Sequence, residues 1–165
     1  MRVSVIGGGD ADSDDLAAAR DVGRLLADRG HVIVCGGRGG VMEAVCRGAV
    51  ERDGDTIGIL PGEDRREANP YVGTVVATGL GHGRNALVVL NGDAVIAIGG
   101  DGGTLSEIGY ASVYDRPIAG LSTHDVAGVE SVATPAEAVE WVERATGVDS
   151  DGDDDGWDWG GSGDE

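Results

Sequence analysis

Three times the chain passes from a short apolar run into a cluster of glycines and then into a helical pattern. Val3-Ser4-Val5-Ile6 meets Gly7-Gly8-Gly9, His31-Val32-Ile33-Val34-Cys35 meets Gly36-Gly37-Arg38-Gly39-Gly40, and Ala94-Val95-Ile96-Ala97-Ile98 meets Gly99-Gly100-Asp101-Gly102-Gly103. After the first cluster Leu16, Ala19, Val22, Leu25 and Leu26 recur at three-to-four spacing up to Gly30, a C-terminal stop signal. After the second, Val41/Met42, Val45/Cys46 and Ala49/Val50 repeat the pattern before Gly54, and after the third a helix is expected from Thr104 to about Tyr114. Strand runs without polar alternation are buried on both faces, and helices between them impose parallel crossovers. The expected fold class is therefore α/β: a three-layer Rossmann-like fold with a mostly parallel sheet.

The remaining segments fit the same plan. Thr56–Leu60 reads as a strand ending at Pro61-Gly62, Glu63–Pro70 as a loop, Thr74–Thr78 as a strand and Arg84–Leu90 as a helix. Pro117–Leu121 and Glu130–Ala133 are the last expected strands, and Pro135, at a helix start, opens Ala136–Ala145. With 165 residues the chain has room for one domain, expected over residues 1–147. Past Gly147 the composition turns to Asp, Gly, Ser and Trp without periodicity, so residues 148–165 are expected to form an acidic disordered tail. Phe is absent and aromatics make up 4%, so the core must be aliphatic.

Charge removes several function classes. All 12 basic residues are arginine, which excludes an internal Schiff base to pyridoxal phosphate and a Walker-type phosphate lysine. Thirty acids bring the net charge to -18, and since eight lie in the tail the body still carries 22 acids against 12 arginines, or -10. Such a surface repels nucleic-acid phosphates, so no nucleic-acid partner is expected. An acid-rich, lysine-free composition fits a halophilic cytoplasm, where salt screens the repulsion. The longest strongly apolar run, Ala86–Leu90, is too short to cross a bilayer, and Met1–Ile6 leads straight into glycines; a cytoplasmic protein without a membrane partner is expected. Cys35 and Cys46 read as buried free thiols, and His31, His82 and His124 lack ligand spacing, so no metal site is expected.

In an open parallel sheet, ligands bind outside the carboxyl ends of the strands, where all three glycine clusters fall. Glycine lets backbone amides approach an anion, and the following helix adds partial positive charge, so a phosphorylated small molecule is the natural ligand. Gly8, Gly9, Gly37, Gly39, Gly40, Gly100, Gly102 and Gly103 are the candidate amide donors. Neither flanking loop fits GxGxxG, since Gly7 and Gly9 meet Asp12 while Gly100 and Gly102 meet Leu105, which disfavours an ordinary dinucleotide site; glycines serving only tight turns remain an alternative. Thr104-Leu105-Ser106-Glu107 also has two readings. It matches a capping box, and equally it can place the Thr104 hydroxyl on a phosphate and the Glu107 carboxylate against a developing positive charge.

Gly99-Gly100-Asp101-Gly102-Gly103-Thr104-Leu105-Ser106-Glu107 resembles the PGGxGTxxE motif of the Lonely Guy (LOG) phosphoribohydrolases, a superfamily once labelled lysine decarboxylases. Gly36–Met42 is similar to that family's GGGxxGLM loop, which adds Met42 to the candidate ligand residues, and Arg84 falls where its catalytic arginine lies. Gly83-Arg84-Asn85 and the stretch Leu60–Tyr71 look closer to a branch near the molybdenum cofactor carrier proteins. The resemblance implies hydrolysis of the N-glycosidic bond of a nucleoside 5′-monophosphate, with Glu107 and Arg84 catalytic, no cofactor required, and a homo-oligomer, dimer or tetramer. The alternative it implies is a non-enzymatic carrier or sensor holding a nucleotide or the phosphorylated pterin molybdenum cofactor. Two departures bear on the choice: the family's Glu-Arg-Lys is Gly83-Arg84-Asn85, and its Pro-Gly-Gly is Gly99-Gly100-Asp101.

Overall fold

The computed structural model describes residues 1–148, so most of the expected tail lies outside the described residues. In chain order the elements are β1 (Arg2–Gly7), α1 (Ser13–Asp28), β2 (Val32–Cys35), α2 (Val41–Val50), β3 (Thr56–Leu60), β4 (Thr74–Ala77), α3 (Asn85–Leu90), β5 (Ala94–Ile98), α4 (Gly102–Val113), β6 (Ile118–Leu121), β7 (Val129–Ser131) and α5 (Pro135–Thr146). Single 3₁₀ turns cover Arg65–Glu67 and Gly81–Arg84. The seven strands lie in the order β4-β3-β2-β1-β5-β6-β7, and every pair is parallel. The fold is thus Rossmann-like α/β, with its sheet parallel throughout.

Alternate strand residues feed two separate cores, as a sheet covered on both faces requires. Val3, Val5, Ile33, Ile96 and Ile98 join the buried faces of α1, α2 and α5, whereas Ile6, Val34, Val95 and Ala97 meet Val88 and Val89 of α3 and Ile108 and Ala111 of α4. Local chemistry fixes the helix ends. Asp12 caps α1 by accepting from the amides of Asp14 and Asp15 at 3.0 and 2.9 Å. Thr134 caps α5 ahead of Pro135, and Gly147 ends it at φ 73. Helix α4 starts two residues earlier than its pattern suggests, because Asp101 rather than Thr104 is its cap. Strand β7 starts one residue upstream of the expected start and ends at Ser131, since Val129, Glu130 and Ser131 are the residues that pair with β6.

His31 lies just ahead of β2 rather than in it. Its buried ring meets Glu143 of α5 at 2.7 Å, and Arg29 also pairs with that carboxylate. Cys35 and Cys46 are buried free thiols with their Sγ atoms 3.5 Å apart.

The closest helix contact joins α1 to α2. A Cβ on Gly23 would lie 2.1 Å from the Val45 carbonyl oxygen, and one on Gly48 would lie 2.0 Å from the Arg20 carbonyl oxygen. The two helices therefore touch backbone to backbone through reciprocal glycines. Arg20 and Arg24 of α1 add a clasp on Glu51 at the end of α2. Gly23→Ala gains about 1 kcal/mol of helix propensity, yet its methyl group can be housed only by parting the helices. A net loss of about 2 kcal/mol is expected in urea denaturation, and Gly48→Ala should behave alike; an unchanged midpoint in both would mean that the contact is not tight.

Candidate functional site

The strand order reverses between β1 and β5. From β1 the chain turns to α1 on one face of the sheet, and from β5 it turns to α4 on the other, so the two following loops diverge and leave a crevice at the carboxyl edge. A cleft of about 150 Å³ occupies this place. Its walls include Gly7 and Gly9 after β1, Gly36 and Met42 from the β2–α2 segment, His82, Arg84 and Asn85 before and at the start of α3, and Asp101, Gly103, Thr104 and Glu107 from the loop into α4. A wider groove of about 470 Å³ between the starts of α1 and α2 shares Gly9 with the cleft and includes Gly40.

The first two glycine loops are in backbone contact. Gly40, at φ 65, lies so close that a Cβ there would sit 2.3 Å from the Gly8 oxygen, and the Val41 amide donates to that same oxygen at 3.1 Å. Glycine is required here for both conformation and space. Outside the regular elements the amides of Gly9, Gly39 and Gly40 bond to no backbone carbonyl among the described residues, and these residues are at least partly exposed, which leaves the amides free to meet an anion; Gly8 is buried. Gly37 differs: it is buried, and its amide donates to Cys35 Sγ at 3.3 Å. Gly100, at φ 110, packs on the Thr104 side chain, whereas Gly39 and Gly102 have open space where a Cβ would stand.

Arg84 reaches inward from the end of the 3₁₀ turn. It is held by the side-chain oxygen of Asn85 and by the Gly36 carbonyl at 3.4 Å. Gly36 admits it, because a Cβ there would stand 2.7 Å from both Arg84 Nη2 and Met42 Sδ. Arg84 Nε is buried without a hydrogen-bond partner, and so is the hydroxyl of Thr104, a residue only 2% exposed. Asn85 also donates to Ser106 Oγ at 3.0 Å, which ties Arg84 to the first turns of α4.

Glu107 points into this cleft and is 6% exposed. It is not part of a capping box: Asp101 Oδ1 accepts from the amides of Gly103 at 2.9 Å and Thr104 at 3.4 Å, while Glu107 lies beyond the first turn. Its contact with Arg84, Oε1 to Nη1, spans 3.9 Å, too long for a hydrogen bond. Burial therefore dominates and pushes the Glu107 carboxyl up to about 8, with the Asp101 charge adding to the rise and Arg84 only partly opposing it. The same burial lowers the Arg84 guanidinium from its ordinary range, against the pull of Glu107.

Of the residues singled out in the sequence, Gly9, Met42, Arg84, Gly103, Thr104 and Glu107 come together in the cleft. Gly40 lies in the adjoining groove, and Gly8 sits beneath the contact between the first two loops. Gly36, His82, Asn85 and Asp101 also line the cleft without having been singled out as ligand residues. Asn85 and Asp101 were visible as departures from a familiar motif; nothing in the sequence distinguishes His82, or Gly36 from its neighbours.

The polar cleft lies at the switch point of a Rossmann-like sheet, the place where open parallel sheets take small ligands. Residues 1–147 match the model of the SLOG cluster4 family, within the LOG/SLOG superfamily, and the chain belongs to that family. An uncharacterized protein of Archaeoglobus fulgidus is 39% identical over 142 residues, which cover 86% of this chain and 93% of that one. The molybdenum cofactor binding protein of Rippkaea orientalis superposes with a TM-score of 0.83 at 34% identity, covering 87% of this chain and 96% of the other. The molybdenum cofactor carrier protein of Chlamydomonas reinhardtii gives a TM-score of 0.79 at 30% identity, over 87% and 96% of the two chains.

The Glu107 carboxyl has a measurable signature. A carboxyl whose pKa is near 8 when folded and near 4.5 when unfolded adds stability that is complete below pH 4.5 and is lost as pH rises through 8. Glu107→Gln removes that dependence. At pH 9 the variant should be the more stable protein by on the order of 1–3 kcal/mol, and near pH 4.5 the two should converge. Parallel melting curves for both proteins across this range would show an ordinary, solvated carboxylate.

Proposed function

We propose that this protein is a non-catalytic binder or carrier of a phosphorylated, nitrogen-heterocyclic small molecule, a pterin-type molybdenum cofactor or a nucleotide. The observation that carries the reading is the state of Glu107. Its carboxyl is buried and makes no hydrogen bond to Arg84, and burial pushes it up to about 8. That favours the neutral form, able to donate one hydrogen bond and accept another, over the anion that an oxocarbenium-like ribose would call for. Pterins and guanine present an adjacent N–H and C=O, and adenine an amino N–H beside a ring-nitrogen acceptor, edges that suit such a group. The free amides of the β1 and β2 loops and the Arg84 guanidinium supply donors for phosphate. The cofactor-binding proteins of R. orientalis and C. reinhardtii, similar over most of their length, support a cargo of the first kind.

Hydrolysis of the N-glycosidic bond of a nucleoside 5′-monophosphate is the second reading, favoured by the buried Arg84 and Glu107 pair itself. It requires the bound ligand to ionise Glu107. The acidic composition makes molar KCl the assay medium of choice for either reading.

Equilibrium dialysis with a panel of nucleoside 5′-monophosphates, coupled to chromatography for free base, separates the two. The carrier reading expects retention without base release, together with molybdenum and pterin in protein isolated from cells that make the cofactor; catalytic release of base overturns it. Arg84→Ala should weaken the retained phosphorylated ligand by about 1.5–3 kcal/mol, the scale of hydrogen bonds to charged groups. Undiminished affinity would remove Arg84 from the phosphate end.

A further inference from the structure

The start of α4 is the place where a phosphate would ordinarily be sought, and in this protein a carboxylate already holds it. Asp101 Oδ1 accepts from the amides of Gly103 and Thr104, the donors that a bound anion would use. The loop is pinned in that arrangement: Thr123 Oγ1 donates to the Gly99 carbonyl at 2.6 Å, and the His124 ring meets the Asp101 carbonyl at 3.0 Å. Beside it the buried Thr104 hydroxyl has no protein partner, so this end of the cleft is built to meet a ligand group. The cleft is consequently polar in a directional sense. The Gly9 amide stands at the end formed by β1 and the Asp101 carboxylate at the α4 end, while Arg84, held by the Gly36 carbonyl and 3.9 Å from Glu107, lies between them.

We infer that Asp101 is a specificity-determining residue that fixes which way round the ligand lies. It excludes phosphate from the α4 helix start, directs that group to the β1 and β2 loops, and presents a carboxylate oxygen to hydroxyl or N–H donors of the ligand. The inference rests on the phosphate-binding reading above and adds an orientation to it. A bare polyanion is then a poor ligand relative to a phosphate that carries a donor-rich body.

The test is calorimetry at fixed KCl with two probes, inorganic pyrophosphate and ribose 5-phosphate. Asp101→Asn keeps a good N-cap and removes the charge, so it guards against a folding defect, while Asp101→Gly also frees the two amides. Both variants should shift the affinity ratio at least tenfold toward pyrophosphate, with Asp101→Gly the larger. An unchanged ratio in both, with Arg84→Ala still weakening both probes, overturns the role of Asp101 and leaves the phosphate cleft standing. Failure of the wild type and both Asp101 variants to bind either probe overturns the phosphate reading and this inference with it.

Discussion

Two missing side chains at the crossing of α1 and α2 govern the site more than any group inside it. With hydrogen at Gly23 and Gly48, the helix backbones meet directly, and the loops that feed them are drawn together at the carboxyl edge. That is why the Val41 amide can reach the Gly8 oxygen and why Gly40 must be glycine in turn. A glycine inside a helix costs about 1 kcal/mol relative to alanine. Here the cost is offset by dispersion contact along the two helices and by the guanidinium clasp on Glu51.

The electrostatics follow from burial more than from net charge. Although the chain as a whole is strongly acidic, its cleft sets one guanidinium and the Gly9 amide against two carboxyl groups. Glu107 is deep enough, and far enough from Arg84, that keeping a proton is easier than keeping a charge. An added cation at position 85 would alter that balance, and the asparagine there instead positions Arg84 and links it to Ser106.

Much of the fold was legible because the glycine clusters punctuate it and the strand runs lack polar alternation. The parallel pairing and the carboxyl edge where the glycine loops gather follow from those two signals, whereas the order of the strands does not. What was not legible is how neighbouring polar groups divide the available hydrogen bonds. Thr104 and Glu107 have capping-box spacing, yet Asp101, three residues ahead of Thr104, takes the cap and leaves both side chains to the cleft. Gly37 and Gly40 look alike in sequence, but one amide is spent on a cysteine sulfur and the other has no backbone acceptor among the described residues. Gly23 and Gly48 stand within helical patterns without any local mark of the close approach they permit.

The last helix brings the chain back to its beginning. Thr146 Oγ1 lies 3.3 Å from Met1 Sδ, and Val32, the first residue of β2, donates its amide hydrogen bond to the Met1 carbonyl. Both points belong to the amino edge of the sheet, on the far side from the cleft. The molecule is therefore suited to circular permutation: residues 1 and 146 can be bridged by a short linker while new ends are opened in an exposed turn. A surface tether fixed at the same edge would hold the protein with its cleft facing solution, so that immobilisation leaves the carboxyl edge of the sheet open.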